Sequence, residues 1–169
     1  MSKSVVGVFQ SERVAKEAIE DLRRAGFEKE ISLLAKDRNQ EGAHRTPDDD
    51  GGQTMAGGET LADGITTGGV LGGLGGLAIG AGALVIPGIG PLIAAGPIAG
   101  LLSGAAGGGV AGGLVDWGIP EEEGRRYEEE LKQDKIIVAI NSSEENIDEA
   151  ENILKNHGAQ QVKAHDKQD

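Results

Sequence analysis

From Gly64 to Val115 the chain carries no charged side chain, although Asp63 and Asp116 bracket the stretch and the whole molecule has a formal net charge of -12. Glycines recur through it at every fourth position: Gly64, Gly68, Gly72, Gly76 and Gly80, then, after a break, Gly96, Gly100, Gly104, Gly108 and Gly112. A flexible linker has no reason to keep such a register. On a helix, every fourth residue falls on one slowly drifting stripe, and glycine there lets a second helix approach backbone to backbone. The break reads "ALVIPGIGPLIAAGP", where Pro87, Gly88, Gly90 and Pro91 supply turn chemistry and Pro97 suits the first turn of a following helix. The spacing therefore predicts an apolar glycine-zipper helical hairpin over residues 64–115. Each arm would be about 34 Å long, close to the thickness of a bilayer core.

An energetic argument constrains where such a hairpin can sit. Each glycine in a water-exposed helix costs about 1 kcal/mol relative to alanine, so the two series would together cost on the order of 10 kcal/mol, comparable to the stability of a whole domain. Ile65, Val70, Leu71, Leu74, Leu77 and Ile79 spread around the first arm and leave it no polar face. A helix that is apolar all round has to be buried all round, whether by lipid, by further copies of itself or by an open sheet face. Asp48, Asp49, Asp50, Asp63 and Asp116 flank the stretch where a conventional two-span topology would carry Lys or Arg, and Trp117 is the one candidate interfacial aromatic. A lipid bilayer and a soluble homo-oligomer both remain open as its surroundings.

The ends of the chain follow a different pattern. "SVVGVF" reads as a strand, and "QSERVAKEAIEDLRRAGF" as a helix with Ser11 as N-cap, Val14, Ala18, Ile19 and Leu22 at helical spacing, and Gly26 at its end. "EISLLAKD" is a second strand. "DKIIVAIN", "SSEENIDEAENILKNHG" and "AQQVKAHD" repeat the plan, with Ser142 or Ser143 as the cap, and Ala150, Leu154 and Gly158 matching Ala18, Leu22 and Gly26. The match reads as an internal duplication.

Two such halves imply an α+β fold: a duplicated β-α-β ferredoxin-like sandwich with the apolar hairpin inserted. Residues 1–37 form the first half, 38–63 a flexible polar linker, 64–115 the hairpin, 116–133 a connecting helix and 134–169 the second half. In the connecting helix, Pro120 stands at a first helical position before Glu121, Glu122 and Glu123, with Tyr127 and Leu131 as a narrow apolar stripe. "VVGVF" and "IIVAI" are apolar at both parities, whereas a half-exposed antiparallel strand alternates. The second sheet face is therefore expected to be covered, by another copy or by the middle of this chain.

Several function classes fall away. A chain this acidic lacks the clustered Lys and Arg that phosphate backbones require, so no nucleic-acid partner is expected. It has no cysteine for disulfides or thiolate metal sites. A phosphate-binding loop needs Lys directly after its last glycine, and no Lys occurs between Lys36 and Lys132. His44, His157 and His165 read as exposed polar residues without metal-ligand spacing, and the "DDD" and "EEE" runs as solvated charge. No catalytic set, metal or cofactor is implied, so an enzyme is not expected. "MSKSVVGVFQSERV" is not a secretory signal, which makes a cytoplasmic location the default.

The chain resembles a family of bacterial general stress proteins, the YflT-like heat-induced stress-protein domain. The resemblance is carried by "VVGVFQSERVAKEAIEDLRRAGF", by "DWGIPEEEGRRYEEELKQDKIIVAI" and by a Gly-rich segment between them. It implies a stress-induced cytoplasmic protein of the Gly-rich type, without established catalytic residues. The expected function is a non-enzymatic stress protein that self-associates through its double glycine zipper, in a membrane or as the core of a soluble oligomer. The alternative is a regulatory ferredoxin-like module that binds a small ligand.

Overall fold

A computed structural model describes residues 2–36, 82–86, 89–104 and 109–167. The chain runs through β1 (Ser2–Phe9), α1 (Glu12–Arg24), β2 (Ile31–Lys36), β3 (Gly82–Ile86) and β4 (Gly90–Ala95). It continues through α2 (Pro97–Gly104), α3 (Gly109–Val115), α4 (Glu121–Lys132), β5 (Ile136–Ser143), α5 (Glu144–Asn156) and β6 (Gln160–Asp166). The fold is α+β. Its described strands form one six-stranded sheet in the order β3-β4-β2-β5-β1-β6, antiparallel at every pairing.

Strands apolar at both parities demand two covers, and the sheet has both. On one face Val5, Phe9, Ile31, Leu33, Val138 and Ile140 pack beneath α1, through Ala15, Ala18, Ile19 and Leu22, and beneath α5, through Ile147, Ala150 and Leu154. On the other face Val6, Val8, Leu34, Leu92, Ala94, Ile137 and Ala139 pack beneath α2, α3 and α4. This second layer contributes Ile98, Leu102, Val110, Leu114, Tyr127 and Leu131, with Trp117 and Ile119 from the turn before α4. Of the two covers foreseen for that face, the middle of the chain is the one found.

The outer helices behave alike. Ala18, Leu22, Ala150 and Leu154 are all fully buried. Gly26 and Gly158 both follow their helix with positive φ, 98° and 75°, as a left-handed C-terminal stop requires. Ser11 and Ser143 occupy the N-cap positions with extended backbone, but neither side chain makes the capping hydrogen bond. Pro120 is the N-cap of α4, one residue earlier than its sequence position suggested. His157 meets Asp21 across the two helices at 2.7 Å, and this hydrogen bond holds the Asp21 carboxyl below its usual range.

Residues 82–86 and 90–95, around the expected break, form strands, and in place of one continuous second arm α2 and α3 are two helices that meet at Leu102 and Gly113. β3 and β4 make a β-hairpin whose pairing runs from Gly82↔Ala94 to Ile86↔Gly90. Val85, Ile86, Ile89 and Ile93 are β-branched, and prolines at 87 and 91 would each remove an intrahelical donor. Pro91 lies one residue beyond Leu92, the last β4 residue paired with β2, so its missing N–H costs no bond there. The elements on either side of the predicted turn are thus strands, where helices were expected. Pro97 opens α2 as expected. The first arm, Gly64 to Gly80, lies outside the described residues, as do the 38–63 linker, Pro87, Gly88 and Gly108.

Candidate functional site

Glycine in the second layer serves contacts other than the predicted zipper. Gly96 has φ +85°, and a Cβ there would overlap the Ile31 carbonyl oxygen. It is the sharp passage from β4 into α2, pressed against β2. Ser32, fully buried on β2, accepts a hydrogen bond from the Ile98 N–H at 3.1 Å and so caps the first turn of α2. A Cβ at Gly113 would lie 2.7 Å from Leu102 Cδ2, and one at Gly124 2.7 Å from Ala111 Cα. These two glycines, outside the four-residue register, are where α2 meets α3 and α3 meets α4. Glu128 of α4 reinforces the second contact by accepting from the Ala111 N–H at 2.9 Å.

Two register glycines face outward. A Cβ at Gly100 or at Gly112 would meet no described atom within 4 Å. Gly104 ends α2. Gly112 shares the surface of α3 with Val115, which is 49% exposed and is the large apolar side chain that stands out from the described surface. On α2, Pro97 is exposed, and Ala99 and Leu101 are half-buried. The described side chains of α2 and α3 are small or apolar and carry no charge, with exposed Asp116 directly after α3.

The opposite end of the sheet has a different character. A cleft of about 330 Å³ opens between α4 and the edge strand β6, lined by Glu123, Arg126, Tyr127, Glu129, Glu130, Gln161 and Lys163. The pleat of β6 sends Gln161, Lys163 and His165 to the α4 side. Gln161 has φ 52°, and the β1–β6 register shifts between Val6 and Val8, a local irregularity in this edge. Glu123 Oε1 accepts from Lys163 Nζ at 2.7 Å, and Glu123 Oε2 lies 3.1 Å from His165 Nε2. Glu130 accepts from Gln161 Nε2 at 2.7 Å and pairs with Lys135. The Lys135 hydrogen bond holds the Glu130 carboxyl below its usual range, against the opposing effect of burial.

Burial dominates two further groups. It pushes the Tyr127 phenol up to about 12, with the Glu123 charge adding to it, so Tyr127 stays neutral. It pushes His165 below its ordinary value, opposed by the Glu123 charge. The His165 side chain is 9% exposed, which corrects its reading as an exposed residue. The sequence signal for this cluster was the alternation of Gln161, Lys163 and His165 in a strand that offered few apolar residues. That alternation marks one polar face of β6 turned toward a carboxylate-bearing helix.

Among the described residues no group of three or more acidic or histidine side chains is placed to hold a metal ion. No described helix is long and apolar enough to cross a membrane. No protein-family model, curated protein or solved structure matches the chain.

Proposed function

We propose that the chain is a non-enzymatic stress-response protein of the kind it resembles, built on a duplicated ferredoxin-like core, and that it self-associates through the uncharged surface of α2 and α3. The strand order β2-β5-β1-β6, with α1 and α5 on one face, supports the ferredoxin-like reading of the two halves. The resemblance in "DWGIPEEEGRRYEEELKQDKIIVAI" supports the family reading, and a cytoplasmic location goes with it.

Self-association rests on one observation: in a chain of net charge -12, α2 and α3 carry no charged side chain and expose Val115, with Asp116 only at the margin of that surface. Two identical acidic molecules repel each other wherever their charged faces meet. An uncharged, small-residue surface is where two copies can approach closely, with backbone-to-backbone contact at Gly112. The occupant of this surface is accordingly a second copy of the chain.

Light scattering coupled to size exclusion, without detergent, tests the reading. A mass well above 17.3 kDa is expected. Gly112→Arg should return the protein to monomer with its fold intact, because the new side chain meets open space within the protomer. A monodisperse wild-type monomer, or an assembly indifferent to Gly112→Arg, would overturn it. So would recovery of the protein only in a detergent-released membrane fraction, which would assign the surface to lipid.

A further inference from the structure

The cleft between α4 and β6 has an uneven charge balance. Its carboxylates already have partners: Glu123 on Lys163 and beside His165, Glu130 on Lys135 and Gln161, and Glu129 on Lys132 at 2.8 Å. Lys163 is likewise committed to Glu123. Arg126, on the same wall, forms no ion pair with any described residue. The unmatched charge of the cleft is therefore a single guanidinium. The same cleft is lined by the edge of Tyr127, which is otherwise packed into the second-layer core, and by Gln161 and Lys163.

These features select among ligands. A guanidinium presents a planar fork of donors that matches a carboxylate with two parallel hydrogen bonds. A phosphate monoester would bring about two negative charges against the field of a strongly acidic protein, where a carboxylate brings one. An amine would meet carboxylates that are already neutralised and an arginine that repels it. The accessible lining is mostly apolar and suits an apolar body, and about 330 Å³ is at the small end of ligand cavities.

We propose that the cleft between α4 and β6 binds a small monocarboxylate with an aromatic or branched apolar body, its carboxylate on Arg126 and its apolar part on Tyr127. Gln161 and Lys163 close the other wall and set the width of the acceptable body. The site lies outside the α2–α3 surface and does not depend on self-association.

A ligand-observed NMR titration of the full chain with sodium phenylacetate, which works on monomer and assembly alike, reads the outcome. Benzylamine and inorganic phosphate at matched ionic strength serve as comparisons. Saturable binding of phenylacetate is expected with a Kd on the order of 1 mM, as befits so small a ligand. Arg126→Gln should weaken it about tenfold. Arg126 is exposed and pairs with no described residue, so this variant keeps the fold, which an unchanged circular-dichroism melt would verify. The proposal is overturned by non-saturable binding to the wild type, by equal affinity in Arg126→Gln, or by tighter binding of benzylamine or phosphate.

Discussion

On one face of the sheet, α1 and α5 bury Ala, Ile and Leu at helical spacing and turn ion pairs such as Lys16–Glu12 and Lys155–Glu151 to solvent. On the other face, α2 and α3 carry no charge, and α2, α3 and α4 close on one another through Gly113 and Gly124. Each layer shields one set of side chains from the same strands. The first is amphipathic and so announces both its inside and its outside. In the second, α4 turns charge to solvent, but α2 and α3 have no polar face, and their inside is defined only by where the sheet and neighbouring backbones press against them. Burial alone needs no polar face; an exposed outer surface without charge is a separate property, and it is the one assigned here to self-contact.

The comparison can be broken most severely at Gly96. Gly96→Ala places a side chain at left-handed φ and drives it into the Ile31 carbonyl, which should cost about 4 kcal/mol and detach the start of α2 from β2. Chemical denaturation measures the loss; a cost below about 1 kcal/mol would mean that α2 is not seated there.

Paired truncations sharpen it further. Leu33 and Leu34 are neighbours on β2 that point to opposite layers. Leu33→Ala and Leu34→Ala should each cost about 3 kcal/mol, because both layers are packed cores. A much smaller cost for Leu34→Ala would demote the glycine-rich layer to a loose cover.

Acid should distinguish the layers next. Burial depresses His165 beneath α4, where Glu123, Lys163 and Asp166 are its charged neighbours. The folded state then binds fewer protons than the unfolded state between the depressed value and the ordinary 6.5. Stability contributed by this site should therefore be full above 6.5 and fall as the pH drops through that window, by at most about 1.4 kcal/mol per pH unit. Denaturation midpoints across the window, compared with His165→Gln, give the slope; an identical slope in the variant would remove His165 as its source.

The smallest effect is expected at Gly112. Gly112→Ala adds a methyl group into open space on α3 and should raise the stability of the protomer by up to about 1 kcal/mol. Destabilisation of the protomer at concentrations where it is monomeric would show instead that the position is already in contact within the chain.

Much of this arrangement was legible in the residues. The four strands and two helices of the terminal halves followed from β-branched runs, helical spacing and the glycines at 26 and 158. The need for a second cover followed from "VVGVF" and "IIVAI". The β3–β4 hairpin did not, because the four-residue glycine register outweighed a rival signal: short apolar runs bounded by Gly and Pro, as in "GALVI" and "GPLIAA". Gly113 and Gly124 were missed as contacts because nothing local distinguishes a glycine under a crossing helix from one facing water. The α4–β6 cleft was half legible, since the carboxylates of α4 were visible but their partners lie 30 to 40 positions away, as Gln161–Glu130 and Lys163–Glu123.

β5 lies between β1 and β2, pairing Ser2 with Ser143 on one side and Ile31 with Ile140 on the other. The first half of the chain therefore cannot complete a sheet by itself, because the strand that separates its own two strands is made only after the whole middle of the chain. Until β5 is made, β1 and β2 stand without the neighbour they share. For a chain with so much apolar sequence ahead of its central strand, the period of greatest exposure is translation itself.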